Sequence, residues 1–179
     1  MTRLLLHICC APDATVGFER LGEGADVEGY FYNPNIAPAE EYERRRQALD
    51  RLAEATGLRY VEGPVDRAPW KEAVSGLEDE PEKGRRCEAC IRLRLMETAR
   101  RAKDGGFDAF AAVLTVSPRK DASMINRLGE EAGRAHGVRY VPTDLKKKDG
   151  FLRSLELCRK YGIYRQNYCG CEYSYRKPG

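Results

Sequence analysis

An α/β fold on a mainly parallel sheet is what this sequence predicts, on three observations. Residues 4–61 read strand, helix, strand, helix, strand, a βαβαβ run that gives right-handed parallel pairs with helices on the sheet faces. The stretches 4–6 and 107–115 are apolar enough for strands buried on both sides. The helical stretch 38–56 opens on Pro38 and stops at Gly57, the asymmetry expected of a helix start and stop. The expectation is a single three-layer domain over residues 1–179, with about five strands and the first of them central.

Taken in order, Leu4, Leu5 and Leu6 form the first strand and residues 14–21 a helix. The turn between them is His7-Ile8-Cys9-Cys10-Ala11-Pro12-Asp13. In an open parallel sheet such a turn lies at the carboxyl edge, where ligands bind. Residues 26–32 form a second strand, ended by Asn33-Pro34-Asn35. Tyr42, Leu49, Leu52 and Ala53 keep helical spacing in 38–56, and 58–61 is a third strand. Residues 66–74 form a short helix carrying Trp70. Gly, Pro and charge dominate 75–86, which reads as a mobile surface loop. Cys87 opens a helix to residue 103, ended by Gly105-Gly106. A strand over 107–115 ends at Ser117-Pro118. A helix at 121–136, a strand at 138–141 and a helix at 151–161 follow, with Gly137 and Gly162 as stops. The tail 164–177 is rich in Tyr, Cys and Arg and has no period.

The chain has 179 residues, 42% hydrophobic and 33% charged, enough for a real core and unlike a disordered chain. No apolar run approaches the ~20 residues of a membrane span, and Met1-Thr2-Arg3 leads into too short an apolar stretch for a signal peptide. The expected location is the cytoplasm, with no membrane partner. In that reducing compartment the seven cysteines point to metal or redox chemistry, not structural disulfides. The net charge of +3 permits nucleic-acid binding without arguing for it. Arg44, Arg45 and Arg46 follow Glu40, Glu41 and Glu43 on one helix, so helical ion pairs explain much of that run. Lys146, Lys147 and Lys148 have no matching acids before Asp149 and are the better candidates for phosphate contact.

Adjacent Cys9 and Cys10 make a poor disulfide. Two thiols and a carboxylate, Asp13, at a helix start make a better metal site. Asp13 also has the chemistry of a helix cap, and both readings stand. Cys87 and Cys90 share one face of a helix start. With Cys169 and Cys171 they supply the four thiolates of a zinc site, but that leaves Cys9 and Cys10 unexplained. A thioredoxin-type redox pair is disfavoured, because Cys87 follows a loop and not a strand. Six thiols and a carboxylate exceed one tetrahedral ion. They suit an iron–sulfur cluster on four thiolates with a second metal on the remaining ligands. Cys158, inside a helix, reads as core packing, and His7 as a hydrogen-bonded core residue.

Several motifs together resemble the epoxyqueuosine reductases of the QueH type. They are His7-Ile8-Cys9-Cys10-Ala11-Pro12, Tyr32-Asn33-Pro34-Asn35-Ile36 and Arg86-Cys87-Glu88-Ala89-Cys90 with Arg92-Leu93. Leu114-Thr115-Val116-Ser117-Pro118 with Lys120 and the tail from Tyr164 to Ser174 complete the set. The resemblance covers essentially the whole chain. One departure is Asp13, where many members carry a further cysteine.

The resemblance implies a Rossmann-like, nucleotide hydrolase-like sheet with the metal site at its carboxyl edge. It implies an oxidoreductase that removes the epoxide oxygen of epoxyqueuosine at the tRNA wobble position, with an unidentified electron donor and no corrinoid. The implied metal ligands are Cys9, Cys10, Asp13, Cys87, Cys90, Cys169 and Cys171. The expected division gives a 4Fe-4S cluster to Cys10, Cys87, Cys90 and Cys169, and a mononuclear iron to Cys9, Asp13 and Cys171. Asp13, Cys9, Tyr32 and Lys120 are the expected catalytic residues, and Asn33, Ser117, Tyr164 and Gln166 are further pocket candidates. The tail is expected to fold back with its ligands. Two rivals are a zinc-stabilised tRNA-binding module and an ATP-dependent tRNA-modifying enzyme. The first turn lacks the glycine-rich phosphate loop that the latter would use.

Overall fold

The computed structural model describes residues 1–175; the last two positions of the expected tail, 176 and 177, lie outside them. Five parallel strands form one sheet in the order β3-β2-β1-β4-β5. They are β1 (Thr2–His7), β2 (Ala25–Phe31), β3 (Arg59–Glu62), β4 (Ala109–Ala112) and β5 (Arg139–Tyr140). The first strand is central, as expected. Its side chains alternate as a pleated strand requires. Leu5 joins Phe110 and Ala112 in one core, and Leu4 and Leu6 join Ala109, Ala111 and Val113 in another.

Helices cover both faces. α4 (Arg85–Asp104) and α5 (Ala122–His136) bring Ile91, Leu95, Ile125 and Leu128 onto the Leu5 side. α1 (Ala11–Leu21), α2 (Ala39–Thr56) and α6 (Gly150–Tyr161) take the other, where Ala14, Leu49, Leu52 and Cys158 pack together. Cys158 is thus a buried packing residue. α3 (Ala68–Val74) lies against α4.

The helix ends follow their sequence signals. Asp121 caps α5 by accepting from the backbone of Ser123 and Met124, and Gly57, Gly137 and Gly162 end α2, α5 and α6 in the left-handed region. Two stretches differ from expectation. Only 109–112 of the apolar run 107–115 is strand; Val113–Val116 curl into a buried 3-10 turn. Periodicity cannot separate buried strand from buried helix in so short a run. Here the loop after β5 fixes the turn, with Thr115 Oγ1 2.7 Å from Thr143 Oγ1 and accepting from the Leu145 amide at 3.1 Å. The loop before α4 is built around Arg86, whose side chain is buried and donates to the carbonyls of Leu77, Glu78 and Glu80.

The strand order reverses between β1 and β4. Parallel sheets bind ligands in the crevice beyond that point, at the carboxyl edge. Cys9 and Cys10 follow β1 there, and Ser117 and Lys120 follow the 3-10 turn after β4. α4 leads back into β4, so its first turn, with Cys87 and Cys90, lies at the same edge.

Candidate metal centre

Cys9, Cys10 and Asp13 form one group whose ligand atoms all lie within 4.8 Å of one another. The sulfurs are 3.7 Å apart, and the Cys9 thiol donates to the Asp13 carboxylate at 3.4 Å. Two ligands on one ion with metal–sulfur bonds of about 2.3 Å would stand roughly 3.8 Å apart, so this donor set suits a single ion with a position left open. Cys10, not Asp13, occupies the N-cap of α1; Asp13 lies in the first helical turn, and no side-chain cap bond is made. Burial raises the Asp13 carboxyl to about 6, against the lowering pull of the Cys9 thiol and of Arg165 and Lys120. The neighbouring Cys10 thiol and burial push Cys9 well up. Cys9 thus holds a proton that a metal would displace, and Asp13 does so only below about pH 6.

The other four thiols lie elsewhere, and among the described residues no three of them come within 4.8 Å of one another. Cys87, Cys90, Cys169 and Cys171 line one small cavity together with Asn35, Trp70 and Arg86. The tight Cys169-Gly170-Cys171 spacing works because Gly170 has φ 126°, a conformation other side chains rarely adopt. The Gly170 carbonyl accepts from the Ala37 amide at 2.8 Å. Arg45, 2% exposed, donates to the carbonyls of Tyr168 and Cys169 and pairs with the buried Glu41 at 2.8 Å. The tail is thus tied to α2.

Two cations face these sulfurs. Arg94, 2% exposed, lies one helical turn after Cys90, and among the described residues no ion pair joins it to a carboxylate. Its Nη1 donates to Asn33 Oδ1 at 3.3 Å, while Asn33 Nδ2 donates to the Ile8 carbonyl at 2.8 Å. Lys120 Nζ is 3.1 Å from Cys169 Sγ. Burial would raise the Cys169 thiol, but Lys120, Arg94 and Arg45 outweigh it and hold the thiol below its usual range. Removing Lys120's charge has a direct expected result. In metal-free Lys120→Met protein, alkylation of Cys169 near pH 7.5 slows as its pKa rises, because the thiolate is the nucleophile. An unchanged rate by mass mapping would contradict the pairing.

A cleft of about 1160 Å³ joins the two thiol groups, lined by Cys9, Cys10, Asp13, Cys87, Cys169 and Lys120. Ser117 and Gln166 line it too, and Gln166 Oε1 is buried without a partner. Five arginines (Arg45, Arg94, Arg119, Arg127 and Arg165) give it a basic wall.

Not every expected residue comes to this cleft. Tyr32 is a correction: it is buried in the Leu5-side core, stacked on Tyr30 at 5.9 Å. Asn33 braces Arg94, and Tyr164 donates to Glu41 at 2.9 Å. His7 is the expected core residue: its Nε2 donates to the Tyr32 carbonyl at 2.9 Å, and burial lowers it to about 3, so it is neutral. The lysine run also needs correcting. Asp144 precedes it and pairs with Lys146 at 3.4 Å and Lys147 at 3.6 Å.

A family model described as epoxyqueuosine reductase QueH matches residues 4–177. The chain belongs to the epoxyqueuosine reductase QueH family. Among its relatives, the epoxyqueuosine reductase QueH of Streptococcus pyogenes serotype M1 is 41% identical, over 98% of this chain and 71% of the relative. That of Thermotoga maritima is 38% identical over 97% and 91%. Among solved structures, the U34-tRNA thiolase NcsA of Methanococcus maripaludis with its [4Fe-4S] cluster aligns with a TM-score of 0.62. It is 15% identical, over 98% of this chain and 62% of that one. A predicted tRNA methyltransferase subunit of Methanocaldococcus jannaschii aligns at 0.59 and 14% identity, over 87% and 74%. At such identities the two structures speak for the shared α/β fold alone. Among the described residues no helix is long and apolar enough to cross a membrane.

The lining of this cavity, whose own space is only about 10 Å³, has the chemistry to hold the cluster that the family's chemistry implies. Trp70 Nε1 and Arg86 Nε, two buried N–H donors on its wall, make no hydrogen bond of ordinary geometry within the protein. Four thiols, two orphaned donors and two buried cations suit an anionic, sulfur-rich group.

Proposed function

We propose that this chain reduces epoxyqueuosine at the wobble position of tRNA to queuosine, the last step of queuosine formation. The observation that carries the reading is a basic cleft lined by four thiols and Asp13, with Cys90 and Cys171 in the small cavity beside it, in a chain of the epoxyqueuosine reductase QueH family. Two electrons and two protons enter, the epoxide carbon–oxygen bonds break, a carbon–carbon double bond forms and water leaves. We regroup the ligands by their geometry: Cys87, Cys90, Cys169 and Cys171 would hold the 4Fe-4S cluster, and Cys9, Cys10 and Asp13 a single iron. Bound there, the cluster supplies electrons one at a time and the iron a Lewis acid for the epoxide oxygen.

The chain's own residues do the rest. Arg94 and Lys120 balance the negative charge of the thiolates. Gln166 offers its unpartnered amide oxygen to a donor on the nucleoside. The exposed arginines of the wall, Arg119, Arg127 and Arg165, take the RNA backbone. We read residues 1–179 as one domain in the cytoplasm, its tail folding back over 164–175 to bring Cys169 and Cys171, and its electrons coming from an unidentified donor.

The test is anaerobic incubation of the iron-loaded chain with epoxyqueuosine tRNA and a low-potential reductant. The modified nucleoside should lose the mass of one oxygen atom. An unchanged nucleoside with the cluster reduced would overturn the assignment.

The lysine loop adds a second expected result. Lys147 is 77% exposed in its side chain, and Lys148 is exposed beside it. Replacing Lys146, Lys147 and Lys148 with alanine should weaken tRNA binding and flatten the log–log salt slope by roughly one to two units, since each phosphate contact contributes about 0.7–0.9. An unchanged slope would return the loop to a solvated surface paired with Asp144.

A further inference from the structure

The four-cysteine cavity contains a donor that the protein leaves unsatisfied. Trp70 is the chain's single tryptophan. It is 1% exposed and packs with Val74, Cys90 and Cys171. An indole nitrogen can only donate, and Nε1 makes no hydrogen bond of ordinary geometry, its one weak partner being the Cys90 thiol against which the ring packs. A buried donor without a proper acceptor is rare enough in folded proteins to need a reason. Two neighbours hold the ring: Tyr173 packs against it tilted by 30°, 6.1 Å between centroids, and the Arg67 guanidinium stands 5.2 Å from its centre.

We propose that the Trp70 indole N–H donates a hydrogen bond to sulfur of the cluster at this cavity and so raises the cluster's reduction potential. The proposal rests on reading the cavity as the cluster site. One-electron reduction adds a negative charge that spreads onto the sulfurs. A donor fixed against them stabilises the reduced form more than the oxidised one. Trp70 does this without adding a charge and without admitting water. It touches no substrate; its effect passes through the cluster.

Because the chain has one tryptophan, a 15N-indole label marks one nitrogen. In anaerobically loaded full-length protein reduced with dithionite, pulsed EPR should show coupling to that 15N. Exchange into D2O should add a deuterium coupling from the same group. Trp70→Phe, which keeps a ring and removes the N–H, should abolish both and keep its iron and sulfide. Its reduction equilibrium should fall about tenfold, a potential lower by about 59 mV for one electron. A reduced wild-type cluster without 15N coupling, or Trp70→Phe at the wild-type potential, would overturn the proposal. If Trp70→Phe fails to load, the labelled wild type alone decides. A wild-type chain that takes up no iron and sulfide would instead overturn the cluster reading, and this proposal with it.

Discussion

Asp13→Asn is expected to lose about one iron per chain, keep the four-iron cluster and lose epoxide reduction almost entirely. In the proposed grouping the cluster takes four thiolates of its own, so it does not depend on Asp13. The single ion keeps Cys9 and Cys10 but exchanges an anionic ligand for a neutral amide, a poorer donor for iron. Without its Lewis acid the epoxide oxygen is a far worse leaving group, and a loss of at least ~1000-fold, roughly 4 kcal/mol in the barrier, is expected. Asparagine is nearly as good a helix cap as aspartate, and Cys10 already occupies the cap of α1. A large effect therefore reports ligation and not folding. The pH dependence adds a check with a defined sign. With its carboxyl at about 6 before metal binding, wild-type iron uptake at this group weakens as pH falls through 6, because the proton competes. The carboxylate's share of that fall disappears in Asp13→Asn, leaving the thiols' share. Full iron content and activity in the variant would show Asp13 to be a bystander.

Arg45→Met is expected to cost about 3–5 kcal/mol of stability, the penalty of leaving a buried charge without its partner. Glu41 is 2% exposed and would keep only Tyr164 and the half-exposed Arg44 as partners. The carbonyls of Tyr168 and Cys169 would lose their donors at the same time. The tail should then be cut by protease at low enzyme ratios, and the cluster should load poorly, because Cys169 and Cys171 depend on that anchor. Urea unfolding with an unchanged m-value and a lower midpoint measures the first effect, and sulfide content the second. A loss under 1 kcal/mol with full sulfide would show that the tail holds itself.

The frame of the fold was legible in the residues. Pro38 and Gly57 bracket α2, and Leu4 to Leu6 mark the central strand, because those signals are local. Where tertiary contacts decide, the residues did not suffice. Thr143 and Leu145 curl 113–116 out of the strand. Arg86 turns an apparently featureless loop into a backbone clamp. At the site, all six thiols were visible, but which neighbours share a cavity depends on how the tail returns. That is why Cys10 and Cys171 were assigned the other way round from the grouping the geometry favours. Arg94 was missed although a signal existed: it stands four residues after Cys90, on the same helix face. Arg45 looked like an ordinary helical ion pair, which it is, and nothing local showed that its other nitrogens reach the tail. Tyr32 follows β2 at the right edge, but its side chain points into the core beside Tyr30.

The account stands or falls most directly on the metal content of the anaerobically purified chain. It predicts about five iron and four acid-labile sulfide per chain, with the brown colour of an iron–sulfur protein and with one iron removable by Asp13→Asn while the sulfide stays. Stoichiometric zinc with no sulfide would contradict it and would make the four-cysteine cavity a structural site.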